Sequence, residues 1–280
     1  MSILTAQVIK LTDEEYKLIR DMVYEYCGIY FQEHKKYIIE NRLSRRLKQL
    51  NFTSFKDYYY FLKYDRKKDE ELVEIMNLLT INETYFFREL GQLKHMISVA
   101  IPELVKSKSD RVLRIWSAAC STGEEPYSIS ILLKDSGVLP AGYRVEIYGT
   151  DLSQDAVAKA KAAKYRKISF RSTEPQYMKY FREQDAEFTV NADVRLPVKI
   201  DRGNLLLPAD TGRYRNMDIV FCRNVLIYFD KESKRKVIEN LANALQPQGY
   251  LYIGHSETLF GISDAFRMNN FGEGIVYMKK

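Results

Sequence analysis

From Arg111 onward the chain alternates short apolar runs with segments of helical pattern, and that alternation leaves few folds open. VLRIWSAA (112–119), VEIYGTD (145–151), MDIVFCRN (217–224), GYLYIGHSE (249–257) and GIVYMKK (274–280) read as strands. Helical patterns over 125–134, 154–163 and 231–245 separate several of them, the last followed by Pro247 and Gly249. Strands apolar on both faces must be covered on both. The pattern therefore predicts an α/β fold with a mainly parallel, doubly wound, Rossmann-like sheet. QDAEFTVNADVRLPVKI (184–200) breaks the rhythm with two short alternating runs, which predict a small hairpin-like β insertion at about 184–202.

The first 90 residues carry a helical period instead. Thr12 and Glu15 form a capping-box pattern, and Tyr16, Ile19, Val23 and Tyr26 follow at helical spacing. A second helix is expected from about 35 to 50, burying Ile39, Leu43, Leu47 and Leu50. Arg42, Arg45 and Arg46 share a stripe about a quarter-turn away. A third helix opens at Thr53-Ser54-Phe55 and a fourth covers 69–79. The expected division is an all-α domain over 1–90 and an α/β domain over 91–280.

Charge distribution matters more than the net value of +6. Residues 34–68 hold eleven Lys or Arg against three acids, a bias suited to a polyanion, an anionic lipid surface or an acidic protein partner. A solvated helix face remains equally open on charge alone. No apolar run approaches the roughly 20 residues of a bilayer span, and the N-terminus has no signal-peptide core. A cytoplasmic chain without membrane insertion is expected. Cys27, Cys120 and Cys222 lack metal-ligand spacing and are odd in number, so they read as small buried hydrophobes, with neither a metal site nor a disulfide framework.

IWSAACSTGEEPYS (115–128) has the layout of a strand, a turn and a helix start that elsewhere cradles phosphate. It holds a single Gly123 followed by Glu124 and Glu125, and those acids repel phosphate. They suit the helix dipole, which is one reading. The other is a cationic nucleoside such as S-adenosylmethionine, which carries a sulfonium and an α-ammonium and no phosphate. Asp151, closing the second strand, is placed to receive ribose hydroxyls, although a helix N-cap is also open to it.

LTINETYFFRE (79–89), IWSAACSTGEEPYSI (115–129), YGTDLS (148–153), FCRNVLIYFD (221–230), GHSETL (254–259) and NRLSRRLK (41–48) together resemble the chemotaxis receptor methyltransferase family, CheR. The resemblance covers nearly the whole chain. It implies transfer of a methyl group from S-adenosylmethionine to glutamate side chains of chemoreceptors, giving glutamyl methyl esters and S-adenosylhomocysteine, with no metal. It places Asn82, Thr84 and Arg88 around the methionine end and the reaction centre, Glu124 at the α-ammonium and Asp151 at the ribose. Asn204 and Leu205 fall at the adenine, Arg223 and Asn224 complete the pocket, and Tyr228 approaches the methyl group. Each has a plainer reading: Asn82 and Thr84 as helix caps, Arg88 paired with Glu83 or Glu89, Tyr228 as a packed aromatic.

A glutamate acceptor, with a reference pKa of about 4.3, is already ionised at neutral pH, so no general base is required. The remaining task is alignment, for which Arg88 and Tyr228 are expected as positioning groups. Arg42, Arg45 and Arg46 are expected to grip the acidic cytoplasmic helices of the receptor. Some relatives dock a receptor C-terminal peptide through a glycine-containing loop in the β insertion. The span 181–200 has no glycine, so independence of that tether is expected. Two other classes stay open: a methyltransferase with another acceptor, and a non-catalytic cofactor-binding protein. Nucleic acid is disfavoured as the acceptor because no nucleic-acid-binding signature is present.

Overall fold

A computed structural model describes residues 9–272 and 274–280; residues 1–8, the head of the N-terminal stretch discussed above, and residue 273 lie outside the description. The chain forms two compact units, one ending at Ile81 and one starting at Asn82.

The first unit is all helical: α1 (Asp13–Cys27), α2 (Lys36–Gln49), α3 (Phe55–Tyr64) and α4 (Lys68–Leu79). The capping box is present at α1. Thr12 accepts from the Glu15 amide, and the Glu15 carboxylate accepts from the Thr12 amide at 2.9 Å, which contributes about 1 kcal/mol. Gly28, left-handed at φ 77°, stops the helix. Ile39, Leu43 and Leu47 are wholly buried along α2, each contributing roughly 2 kcal/mol, whereas Leu50 beyond the last turn is half-buried.

The second unit opens with α5 (Leu90–His95), which continues through a π turn at Met96–Ala100 into α6 (Ile101–Ser107). Then follow β1 (Val112–Ala118), α7 (Glu124–Ser136), β2 (Arg144–Asp151), α8 (Gln154–Ala162), β3 (Lys164–Arg166), β4 (Phe181–Gln184), β5 (Glu187–Val190) and α9 (Ala192–Arg195). The chain ends with β6 (Val198–Arg202), α10 (Pro208–Thr211), β7 (Met217–Cys222), α11 (Lys231–Ala244), β8 (Leu245–Ile253), β9 (Phe266–Asn270) and β10 (Ile275–Lys279).

Seven strands form one sheet in the order β6-β2-β1-β7-β8-β10-β9, with β10 antiparallel to both neighbours and the others parallel. From β1 the chain winds outward through β2 to β6, then returns to β7 on the other side of β1. The order therefore reverses between β1 and β7, and the crevice beyond the carboxyl ends of these strands is where such sheets bind ligands.

Two boundaries differ from those expected. Residues 82–90 belong to the second unit because Phe86 and Phe87 are buried in its core, Phe86 stacked on Phe170 at 5.0 Å and Phe87 on Tyr177 at 4.5 Å. The β insertion begins at Lys164, where β3, β5 and β4 form a separate antiparallel sheet. Its hairpin turns through Asp185 and Ala186, both left-handed at φ 51° and 59°, the mirror-image turn that suits strand twist without glycine. Val198–Arg202 is not part of this insertion. It pairs with β2 at the edge of the main sheet, burying Ile200 against Cys120, Val157 and Ala160.

Candidate active site

β1 ends at Ala118, and the next residues make a turn with Ala119, Ser121 and Gly123 all left-handed, at φ 64°, 51° and 92°. For residues with a Cβ this costs about 1 kcal/mol or more each, so the turn must be held. Cys120 N donates to Thr150 O at 2.8 Å, Ser121 N to Asp151 Oδ2 at 2.8 Å, Ser121 Oγ to Asn82 O at 3.0 Å and Tyr165 OH to Thr122 O at 2.7 Å. Glycine at 123 is dictated by packing as well as by φ, since a Cβ there would stand 2.8 Å from Ala160 Cβ.

The turn sets two buried carboxylates. Glu124 Oε2 accepts from Thr122 Oγ1 at 2.6 Å and Oε1 from Ser169 Oγ at 3.0 Å; Asp151 Oδ1 accepts from Ser153 N at 2.9 Å. Burial pushes both groups above the usual carboxylate range, opposed by these hydrogen bonds. A carboxylate offers about four acceptor positions, and those not taken by the protein suit ammonium and hydroxyl donors while repelling phosphate. The donor set fits a phosphate-free, cationic nucleoside.

Gly203 N donates to Asp151 O at 2.9 Å, so Asn204 and Leu205 follow directly on a residue bonded to the end of β2. Both are buried. Asn204 N donates to Asp210 Oδ2 at 2.9 Å and its Oδ1 accepts from Leu206 N at 3.0 Å, while Leu205 O accepts from Asn240 Nδ2 at 2.9 Å.

Arg223 stands at the end of β7. Its guanidinium is buried and committed to the protein, with Nε donating to Glu125 Oε2 at 2.6 Å and Nη1 to Gln92 Oε1 at 3.3 Å. The guanidinium's hydrogen bonds are thus spent inside the protein. Glu125 is correspondingly more than a dipole-compatible residue, because its other oxygen accepts from Ser117 Oγ at 2.6 Å. The sequence signal for this buried pair is Ser117, a hydroxyl in the fully buried end of β1. Asn224 is left-handed at φ 59°; its amide N–H donates to Glu257 Oε2 at 3.0 Å and its Nδ2 to Glu89 Oε1 at 3.1 Å. Glu257 also receives Gly254 N at 2.6 Å and Ile227 N at 3.3 Å. It was not singled out from sequence, and it braces the segment leading to Tyr228.

Arg88 is half-buried, with Nη1 donating to Glu83 O at 3.0 Å and its guanidinium 5.8 Å from the Tyr85 ring centre. Arg171, also unforeseen, covers the same ring at 3.9 Å and pairs with Glu83 at 3.0 Å. Thr84 is half-buried within this loop, and Tyr228 is half-buried on a single 3-10 turn, Leu226–Tyr228.

The arginine stripe of the first unit is not one free surface. Arg42 Nη1 donates to Leu78 O, Leu79 O and Thr80 O at 3.1, 3.0 and 3.2 Å, satisfying carbonyls at the end of α4. Arg46 forks onto Glu71 at 2.8 and 2.6 Å, and Glu71, only 5% exposed, also accepts from Tyr58 OH at 2.5 Å. Of the predicted trio, Arg45 alone is exposed.

All three cysteines are buried, and burial pushes the Cys27 thiol up to about 12. Among the described residues no group of three or more His, Cys, Asp or Glu is arranged to hold a metal, and no helix is long and apolar enough to cross a membrane.

Residues 82–275 match the family model described as CheR methyltransferase, SAM binding domain, and residues 14–80 match CheR methyltransferase, all-alpha domain. The chain belongs to the CheR methyltransferase family. It is 34% identical over 273 residues to chemotaxis protein methyltransferase 2 of Vibrio cholerae, spanning 97% of this chain and 94% of that one. It is also 34% identical over 275 residues to chemotaxis protein methyltransferase 1 of Pseudomonas aeruginosa, spanning 95% and 98%. The chemotaxis protein methyltransferase of Borreliella burgdorferi is 33% identical over 260 residues, spanning 90% and 91%. This CheR chain is a methyltransferase of chemotaxis that uses S-adenosylmethionine (SAM), and its turn of buried acids lies inside the matched SAM-binding domain.

Proposed function

We propose that the chain transfers the SAM methyl group to glutamate side chains of chemoreceptors, forming glutamyl methyl esters. The observation that carries the cofactor part of this reading is the pair of buried carboxylates, Glu124 on the turn and Asp151 at the end of β2, oriented by neighbouring amides and hydroxyls, and the acceptor follows from membership of the CheR family. SAM, when bound, supplies an activated methyl group on a sulfonium. Glu124 binds its ammonium and Asp151 its ribose hydroxyls, while Asn204 and Leu205 border the adenine. Asn82, Thr84 and the Arg223-Asn224 backbone close the methionine end.

An acceptor carboxylate arrives ionised, so the protein's task is orientation and exclusion of water rather than proton removal. Arg88 attracts and aligns the acceptor carboxylate, and the Tyr228 hydroxyl aligns the opposite side of the reaction centre. Arg45 is the member of the basic stripe left to meet an acidic receptor helix in the cytoplasm. The tight Asp185-Ala186 hairpin turn, lacking a glycine-bearing loop, supports activity that does not depend on a receptor-tail tether.

The decisive experiment incubates the protein with radiolabelled SAM and receptor-containing membranes. Methyl groups released by mild alkali are the expected result, and alkali-stable label or none overturns the glutamyl ester reading. Titration with a receptor-tail pentapeptide is expected to show no binding, and tight binding would restore the tether.

A further inference from the structure

Arg88 sits between two left-handed residues, Phe87 at φ 60° and Glu89 at φ 53°. Such conformations persist only where the surroundings over-determine them. Phe87 is pinned by its buried ring and by its N–H, which donates to Ser128 Oγ at 2.9 Å. Glu89 is pinned by its carboxylate. Oε1 accepts from Asn224 Nδ2 at 3.1 Å, and Oε2 lies 3.1 Å from His255 Nδ1 and 3.6 Å from Arg223 Nη1. One carboxylate, 12% exposed, thus joins the loop bearing Arg88, the end of β7 and the segment after β8. Gly254 leaves room for Asn224 beside this anchor, because a Cβ there would stand 2.7 Å from Asn224 Nδ2.

We infer that Glu89 is a positioning residue for methyl transfer, fixing Arg88 through the backbone and Asn224 through its side-chain amide. The inference rests on the roles given above to Arg88 and Asn224. Glu89 itself touches no reacting atom. Its carboxylate lies net below the usual range despite burial, because Arg223, Asn224 and His255 face it, so it is charged under working conditions.

The test compares wild type with Glu89→Gln, Glu89→Asp and Glu89→Ala in the full chain, reading kcat, KM for receptor, affinity for S-adenosylhomocysteine and Tm. Glu89→Gln keeps an acceptor for Asn224 and loses the charge opposite Arg223 and His255; kcat is expected to fall roughly tenfold with KM for receptor unchanged. Glu89→Ala is expected to fall about a hundredfold, the scale of a misplacement near 1 Å, with Glu89→Asp partly restoring it. S-adenosylhomocysteine affinity is expected to weaken roughly fivefold in Glu89→Gln, because the bond from Asn224 Nδ2 is kept but is no longer charge-assisted. Asp218→Asn, at the start of β7 and paired with Lys108 at 2.8 Å, is the stability control and is expected to lower Tm while leaving kcat unchanged.

Wild-type kcat and S-adenosylhomocysteine affinity in Glu89→Gln, with only Tm reduced, overturns the inference. Glu89→Gln is nearly isosteric, so it decides the matter even where Glu89→Ala fails to fold. Absence of transfer by wild type would instead overturn the receptor-glutamate reading, and the S-adenosylhomocysteine comparison would still test Glu89.

Discussion

At the level of single residues, the buried acids make the clearest prediction. Glu124 and Asp151 hold their protons more tightly in the folded chain than in the unfolded one, first because of burial. The sign follows from linkage: their contribution to stability is greatest at acid pH and declines as pH rises through the raised values. A cationic ligand demands the ionised forms, so its affinity runs the other way and weakens as pH falls. Calorimetric titration of S-adenosylhomocysteine is expected to show affinity falling from neutral pH with a midpoint above the ordinary carboxylate range. Glu124→Gln is expected to reduce that profile to the part due to Asp151 and to weaken binding about tenfold, the worth of a charge-assisted hydrogen bond. A flat wild-type profile would remove Glu124 as the ammonium partner. Tyr228→Phe is expected to lower kcat about tenfold while leaving cofactor affinity within about twofold; unchanged turnover would return Tyr228 to simple packing.

Between helices, pairing separates residues that periodicity grouped together. Arg42, Arg45 and Arg46 share one stripe of α2, yet α4 offers Arg42 its terminal carbonyls and Arg46 the buried Glu71. Removing one partner of such a buried pair leaves an uncompensated charge. With Arg46 partly exposed, Arg46→Ala is expected to cost about 2 kcal/mol and to lower Tm. Arg45→Ala is expected to leave Tm unchanged and raise KM for receptor in a salt-sensitive way. Equal effects of the two variants on both Tm and KM would contradict this division. The capping box of α1 was legible because its partners lie three residues apart, whereas Arg46 and Glu71 are 25 apart and Arg223 and Glu125 are 98 apart. Nothing in local spacing connects such pairs.

For the molecule as a whole, every residue assigned to the cofactor lies in the unit starting at Asn82, and so do Arg88 and Tyr228. A fragment of residues 82–280 is therefore expected to bind S-adenosylhomocysteine with near-wild-type affinity and to lose methyl transfer to receptor. Loss of cofactor binding from that fragment, if it folds, would contradict the assignment of the cofactor residues to the second unit alone.

Five strands of the main sheet, the helices α1–α4, α7, α8 and α11, the doubly wound class, the acidic turn after the first long strand and the CheR motifs are readable from the chain, because each depends on residues close in sequence whose periodicity or spacing reports local backbone geometry; β3, β9 and the α5–α6 segment are not. Tertiary structure alone decided that NETYFFR joins the second unit, that Val198–Arg202 completes the main sheet, and that Glu89, Glu125 and Glu257 hold Arg223 and Asn224. These are choices among chemically equivalent partners. Glu124 and Glu125 are identical neighbours, and a helix turns by about 100° per residue, so one faces the turn of the site and the other faces Arg223.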